Sequence, residues 1–307
     1  MIDSFHPAAI LHAQSLFTCI LPTDPEIHDW RSNAQYLLVK GSHITASDFA
    51  SSTHLLALGK QVVGLDKNRP ESSQTRGVQV FNTPAANAQT VAELVLALTM
   101  SVAREITSIN ERQRAGQLVP KAECDGLSIS GKTIGLVGMG NIARRVAQIF
   151  HLGLDCKILA YDPFALADAW PSLPHHRVSS VSELIPLADV LTVHVLLNDD
   201  TRNLISINEL RMCKRTAIVI HAATRGGIVN EEDLATALEE GVIWGAGLDC
   251  HEQEPPSRER YERLWKHPRV VSTPHIEAAT SQAQEDTAKA AVDAVYAYYR
   301  REGGGAK

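Results

Sequence analysis

Residues 133–150 read TIGLVGMGNIARRVAQIF, and Asp162 stands 19 residues beyond Ala143. The run 133–138 (TIGLVG) predicts a buried strand, and 141–150 predicts a helix with apolar residues at helical spacing. Between them lies Gly138-Met139-Gly140-Asn141-Ile142-Ala143, the pattern GxGxxA. The first glycine permits the tight turn, and the second lets a pyrophosphate approach the backbone. The third position needs only a small residue for helix–strand packing. The free N–H groups opening the helix, Asn141 and Ile142 among them, then face the phosphates. A lone GxGxxG is weak evidence. Here a strand precedes it, a helix follows it, and Asp162 closes the next strand. An acidic side chain there accepts hydrogen bonds from the adenosine ribose hydroxyls and opposes a 2′-phosphate, so the stretch predicts a dinucleotide site that favours NAD over NADP.

Working outward, strand-like runs alternate with helix-like segments: 157–161 (KILAY), 190–194 (VLTVH), 217–221 (AIVIH), 243–248 (IWGAGL) and 269–273 (RVVST). Regular β–α alternation predicts a parallel, doubly wound sheet. Upstream, 35–39 (QYLLV), 54–58 (HLLAL), 62–65 (VVGL) and 78–82 (VQVFN) read as buried strands of a smaller α/β unit. Thr90-Val91-Ala92-Glu93 has the spacing of a capping box and predicts a helix over 91–106. That helix is apolar nearly all round until Ser101, so it is expected to be buried by two partners. The segment 107–130 is polar. A last helix, about 281–300, carries Ala288, Ala291, Val292, Val295, Tyr296 and Tyr299 on one face.

Composition sets outer bounds. The 307 residues suit one large or two ordinary domains, and 44% apolar with 21% charged residues is a globular mix that excludes disordered or collagen-like chains. A net charge of −6 disfavours nucleic acid or an anionic membrane as partner. Five scattered cysteines without a CxxC predict reduced thiols and no metal site. No apolar run reaches the roughly 18 residues of a membrane span, and the first residues lack a signal-peptide pattern. A cytoplasmic protein is the expectation.

Three side-chain groups at strand ends point to chemistry. Arg225-Gly226-Gly227 follows the strand 217–221, where ligands of parallel sheets bind, and an arginine there can clamp a carboxylate. Taken on position alone, a surface arginine in a turn is the safer reading. Asp249 closes 243–248, and Glu254 follows before Pro255-Pro256. His275 directly follows 269–273. A carboxylate beside a histidine stabilises the imidazolium and moves its titration, so Glu254 and His275 predict a proton-transfer pair. The plainer reading is a structural histidine, one of 13 in the chain.

These pieces, in this order, resemble the D-2-hydroxyacid dehydrogenase family, which includes phosphoglycerate dehydrogenases and glyoxylate/hydroxypyruvate reductases. The resemblance runs from about residue 35 to 300. It is carried by GKTIGLVGMGNIA (131–143), ADVLTVHVLLNDDTRNLI (188–205), RGGIVNEEDLATAL (225–238), GAGLDCHEQEPP (245–256) and TPHIEAAT (273–280). It implies that the substrate arginine falls on Arg225, the histidine-supporting acid on Glu254 and the acid/base on His275. It also implies a nicotinamide-side acid at Asp249, a ribose acid at Asp162 and a carboxylate-binding backbone at Val63-Gly64. Two Rossmann-like domains with doubly wound parallel sheets are implied, the substrate domain being discontinuous: 1–100 plus 278–307, against 101–277 for NAD. So are a cleft between them that admits a small anionic 2-keto or 2-hydroxy acid, and a homodimer formed near the helix 91–106.

Two departures stand out. Glu277 replaces the glycine usual in TPHIG, and the loop His221-Ala222-Ala223-Thr224-Arg225 is one residue longer than in relatives, which displaces the expectation for Arg225. The reading that results is an NAD-dependent 2-hydroxyacid dehydrogenase. A formate dehydrogenase fits less well, since Glu254 stands where those relatives carry glutamine. The alternative from another class is an NAD-binding regulatory, corepressor-like module with little or no turnover.

Overall fold

The computed structural model describes residues 1–61, 76–222 and 225–302. The chain divides into two compact units, Met1–Asn87 with Ala278–Lys307, and Ala88–Glu277.

In the first unit, β1 (Tyr36–Val39), β2 (Ala57–Lys60) and β3 (Gln79–Phe81) form a parallel sheet in that order. Side chains alternate across a strand, and both faces are covered here. Leu38 joins Ala288, Ala291, Val292 and Val295 on one side. Leu37 and Val39 join Trp30, Phe49 and Leu58 on the other. The helix Ser281–Arg301 returns from the far end of the sequence to cover β2. A side chain on Gly59 would meet the Ala291 carbonyl oxygen at 2.8 Å. The discontinuity therefore has a packing cause: β2 is built to receive the last helix. The run 54–58 is paired only from Ala57, opposite Tyr36, and β2 continues to Lys60. The run 62–65, with Val63 and Gly64, lies outside the described residues.

The second unit holds β4 (Thr133–Val137), β5 (Lys157–Tyr161), β6 (His176–Arg177), β7 (Val190–Val193), β8 (Ile218–His221), β9 (Gly245–Leu248) and β10 (Val270–Ser272). They form one parallel sheet ordered β10-β9-β8-β7-β4-β5-β6. Strand order reverses between β4 and β7, the topological switch point where ligands of open α/β sheets bind. Ile134, Leu136, Ile158, Ile218 and Ile220 face one apolar layer with Leu98, Val102, Val146 and Phe150. Val137, Leu159, Leu191, Val193 and Val219 face another with Leu234, Leu238, Tyr261 and Leu264. Each fully buried side chain of this size contributes about 1.5–3 kcal/mol.

The helix near 91–106 spans Ala88–Ala103 and is followed by a second helix, Ile106–Arg114, after Glu105 at φ 50°. Thr90 is inside the first of them, so the helix opens two residues before the residue read as its N-cap. Leu98, Val102 and Ala103 pack into the larger unit's core. The division therefore falls at residue 87/88, not near 100: the helix's apolar stripe is satisfied by β8, β9 and the helix Asn141–Leu154. Among the described residues, no helix is long and apolar enough to cross a membrane.

Candidate active site

The carboxyl edge of the larger sheet carries most of the residues singled out from the sequence. Gly138 follows β4 at φ 98°, a conformation that side-chain-bearing residues rarely adopt. A Cβ there would also lie 2.7 Å from the carbonyl oxygen of His194, at the end of β7. Gly140 is different. Among the described residues nothing stands within 4 Å of where its Cβ would be, so none of them demands a glycine. The open space is what a close-approaching ligand needs.

Gly140 is also the N-cap of the helix Asn141–Leu154 and offers no side-chain cap, which leaves the first N–H groups at Asn141 and Ile142 available. Ala143, Val146, Ala147 and Phe150 bury the helix's other face. Asp162, just beyond β5, accepts hydrogen bonds from the Met139 N–H at 2.8 Å and the Phe164 N–H at 2.8 Å, so the acid is locked to the glycine turn. No cation follows Asp162 in Pro163-Phe164-Ala165. The nearby Arg177 donates to the carbonyls of Asp162, Ala165 and Leu166. These residues fit a dinucleotide with unesterified ribose hydroxyls.

Toward the other end of the edge stands His275, after β10, at φ 63°. Strain of this kind persists only where surroundings hold it. Here Asp249, fully buried at the end of β9, accepts from Thr273 Oγ1 (2.6 Å), Ile276 N–H (2.8 Å) and Glu277 N–H (3.0 Å). The acid expected on the nicotinamide side thus braces the loop that presents His275. Burial raises its pKa, and the neighbouring Glu277 charge adds to the rise.

The His275 ring lies between two carboxylates. Nδ1 is 2.7 Å from Glu254 Oε1, and Nε2 is 3.3 Å from Glu277 Oε2. The hydrogen bond to Glu254, then the close Glu277 carboxylate beside Nε2, outweigh burial and push the His275 pKa up to about 10. Burial alone would raise Glu254. Its hydrogen bond to His275, with the charges of His275 and Arg225, holds it below the ordinary value instead. Arg225 is therefore close enough to act on Glu254 despite the longer loop, whose Ala223 and Thr224 lie outside the described residues. Cys250 Sγ lies within 4.8 Å of ligating atoms of Glu254 and His275, among the described residues a grouping with metal-binding atom types. The two other members are engaged with each other.

Glu254 is placed by a tightly seated loop. Glu252 N–H donates to Glu231, Gln253 N–H donates to the Tyr261 hydroxyl, and His251 N–H donates to Glu254 itself. The backbone of His251 and Glu252 lies against Gly226, where a Cβ would stand 1.9 Å from the His251 carbonyl carbon. The glycine after Arg225 thus sets the spacing between the arginine's loop and that of Glu254.

Sequence reasoning missed the histidines behind this site. His194, His221 and His251 are buried, and burial lowers all three, to about 3 for His194 and about 4 for His221. They are neutral spacers beside one charged histidine. Their places at the ends of β7, β8 and β9 were the available signal. A separate cavity of about 690 Å³ lies in the smaller unit, lined by Phe17, Tyr36, Val292 and Tyr299 among others, and among the described residues it holds none of the predicted site residues.

Residues 96–277 match the family model described as "D-isomer specific 2-hydroxyacid dehydrogenase, NAD binding domain". The chain is 35% identical to a hydroxypyruvate reductase of Thermotoga maritima over 241 residues, 78% of this chain and 76% of that one. It is 32% identical to a D-3-phosphoglycerate dehydrogenase of Methanocaldococcus jannaschii over 267 residues, 86% of this chain but only 49% of that longer protein. The crystal structure of the TT0316 protein from Thermus thermophilus superposes with a TM-score of 0.81 at 29% identity, over 94% of this chain and 93% of that one. Profile, sequence and fold agree with the geometry of the edge: this chain belongs to the D-isomer specific 2-hydroxyacid dehydrogenase family.

Proposed function

We propose that the chain is an NAD-dependent oxidoreductase that interconverts a small 2-hydroxy acid and its 2-keto acid, of the hydroxypyruvate/glyoxylate or phosphoglycerate type. The observation that carries this reading is His275 held 2.7 Å from Glu254 on the same sheet edge as the Gly138–Ala143 turn and Arg225. When bound, NAD would supply or accept the hydride at C2. The Gly140–Ile142 backbone would receive its phosphates and Asp162 its ribose hydroxyls. Arg225 pairs with the substrate carboxylate through charge-assisted hydrogen bonds. In reduction, His275 hands its Nε2 proton to the C2 oxygen. In oxidation, it takes that proton back. Glu254 holds the ring by Nδ1 and stabilises the imidazolium throughout.

Cofactor choice tests the first half. The unmutated protein is expected to use NADH in preference to NADPH, because the Asp162 charge opposes a 2′-phosphate. Asp162→Asn keeps an acceptor for the Met139 N–H but removes the charge, so the ratio of kcat/KM for the two cofactors should narrow. Equal use of both by the unmutated protein contradicts the assignment.

Arg225 tests the second half. Losing a charge-assisted contact costs about 1.5–3 kcal/mol, or roughly 10–10²-fold. Arg225→Ala is expected to raise KM for the keto acid by that factor and to leave the NADH dissociation constant nearly unaltered. Unaltered keto-acid kinetics would show that the lengthened loop carries Arg225 away from the substrate.

A further inference from the structure

Glu277 takes no step in the reaction derived above, yet it stands at the reacting nitrogen of His275. Its side chain is 14% exposed, and Oε2 lies 3.3 Å from His275 Nε2. That oxygen is buried and has no hydrogen bond of suitable geometry among the described residues. Its backbone is fixed by the N–H bond to Asp249, so the carboxylate is not on a wandering loop. Nδ1 is occupied by Glu254, which leaves Nε2–H to face the substrate. The site therefore presents a donor, Nε2–H, and beside it an acceptor, Glu277 Oε2.

A 2-keto acid with a hydroxyl on C3 offers the complementary pair on adjacent carbons. Its C2 carbonyl accepts from Nε2–H, and its C3 hydroxyl donates to Oε2. Glyoxylate and pyruvate have the acceptor without the donor, and they leave a buried carboxylate oxygen without a bond. A 3-phosphorylated keto acid has an ester oxygen at C3 in place of the hydroxyl, and it brings a phosphate dianion toward a carboxylate.

We infer that Glu277 is a specificity-determining residue that selects 2-keto acids carrying a free hydroxyl on C3. The inference rests on the dehydrogenase reading above. The chemistry at C2 is unchanged: hydride from NADH goes to carbon, the Nε2 proton goes to oxygen, and the C3 hydroxyl is neither formed nor broken. A site built to bond a substrate hydroxyl rejects analogues that lack it far more strongly than an apolar pocket does.

The test is NADH-dependent reduction of hydroxypyruvate, glyoxylate, pyruvate and phosphohydroxypyruvate by the unmutated protein and by Glu277→Gln and Glu277→Gly. For the unmutated protein, kcat/KM for hydroxypyruvate is expected to exceed the other three by about 10²-fold. Both variants should lower the hydroxypyruvate-to-glyoxylate ratio toward one, Glu277→Gly more than Glu277→Gln, whose amide oxygen still accepts. A ratio near one in the unmutated protein overturns the inference and leaves the dehydrogenase reading intact. So does a high ratio that both folded variants keep, with folding checked by melting curves. No turnover of any of the four overturns the dehydrogenase reading, and the inference with it.

Discussion

Replacing His275 with alanine is expected to slow keto-acid reduction roughly 10²–10⁴-fold, the usual worth of a positioned acid/base. The loss should appear in kcat and kcat/KM alike, with NADH affinity nearly unaltered, because the residue acts on the proton and not on the dinucleotide. The variant also removes a cation from between Glu254 and Glu277. Both partly buried carboxylates then lose the partner that holds them down, so their pKa values should rise. Stability carries a matching signature. A group whose pKa is raised on folding stabilises the fold fully below its unfolded value, and the contribution disappears as pH rises through the folded value. For His275 the window runs from the ordinary 6.5 to about 10. The unmutated protein should thus lose thermal stability across that window, and His275→Ala should show a shallower loss. Melting curves at several pH values check this. Identical slopes would mean that His275 is not held as a cation.

Gly226→Ala is expected to be as damaging through geometry as His275→Ala is through chemistry. The added Cβ would lie 1.9 Å from the His251 carbonyl carbon and 2.1 Å from the Glu252 nitrogen, both backbone atoms. No side chain can rotate away to relieve such a contact, so one loop must move. Overpacking typically costs 1–3 kcal/mol, and a backbone clash belongs at about the upper end. The displaced segment carries Glu254 on one side and Arg225 on the other. A shift on the order of 1 Å in positioning groups costs about 10²-fold in rate. The expected result is a lowered melting temperature together with a fall in kcat/KM that the stability loss does not account for. A folded variant with unaltered kinetics would show that the two loops are not spaced by this contact.

The larger unit was legible because several signals agreed there. Alternating apolar runs marked β4, β5 and β7 to β10, while the two-residue β6 carried no such run, and Asp162 bonds to the glycine turn. The Glu254–His275 pair was legible from two residue types at strand ends, and the structure brings them to 2.7 Å. What was not legible depends on packing. Thr90 looked like a cap, but Leu98, Val102 and their neighbours bury the helix from Ala88 onward, and tertiary burial outweighed the local signal. The reach of Glu277 to Nε2 was also hidden, since a sequence shows a carboxylate nearby but not which ring nitrogen it meets. Asp249 was read through a resemblance as a nicotinamide-side acid, and the hydrogen bonds by which it braces the His275 loop were not legible. The three neutral histidines needed the fold itself, because burial is what keeps them uncharged.

The most direct test of the whole account is the pH dependence of kcat/KM for keto-acid reduction by the unmutated protein and by Glu254→Gln, each with a melting curve. Reduction needs the protonated ring, so activity should hold through neutrality and fall only as pH approaches about 10. Glu254→Gln keeps the shape and removes the charge, so its alkaline limb should move to lower pH, partway only, because Glu277 still faces Nε2. An alkaline limb near 6.5 in the unmutated protein, or one that Glu254→Gln leaves in place, would contradict the central claim that this carboxylate holds His275 as the proton donor.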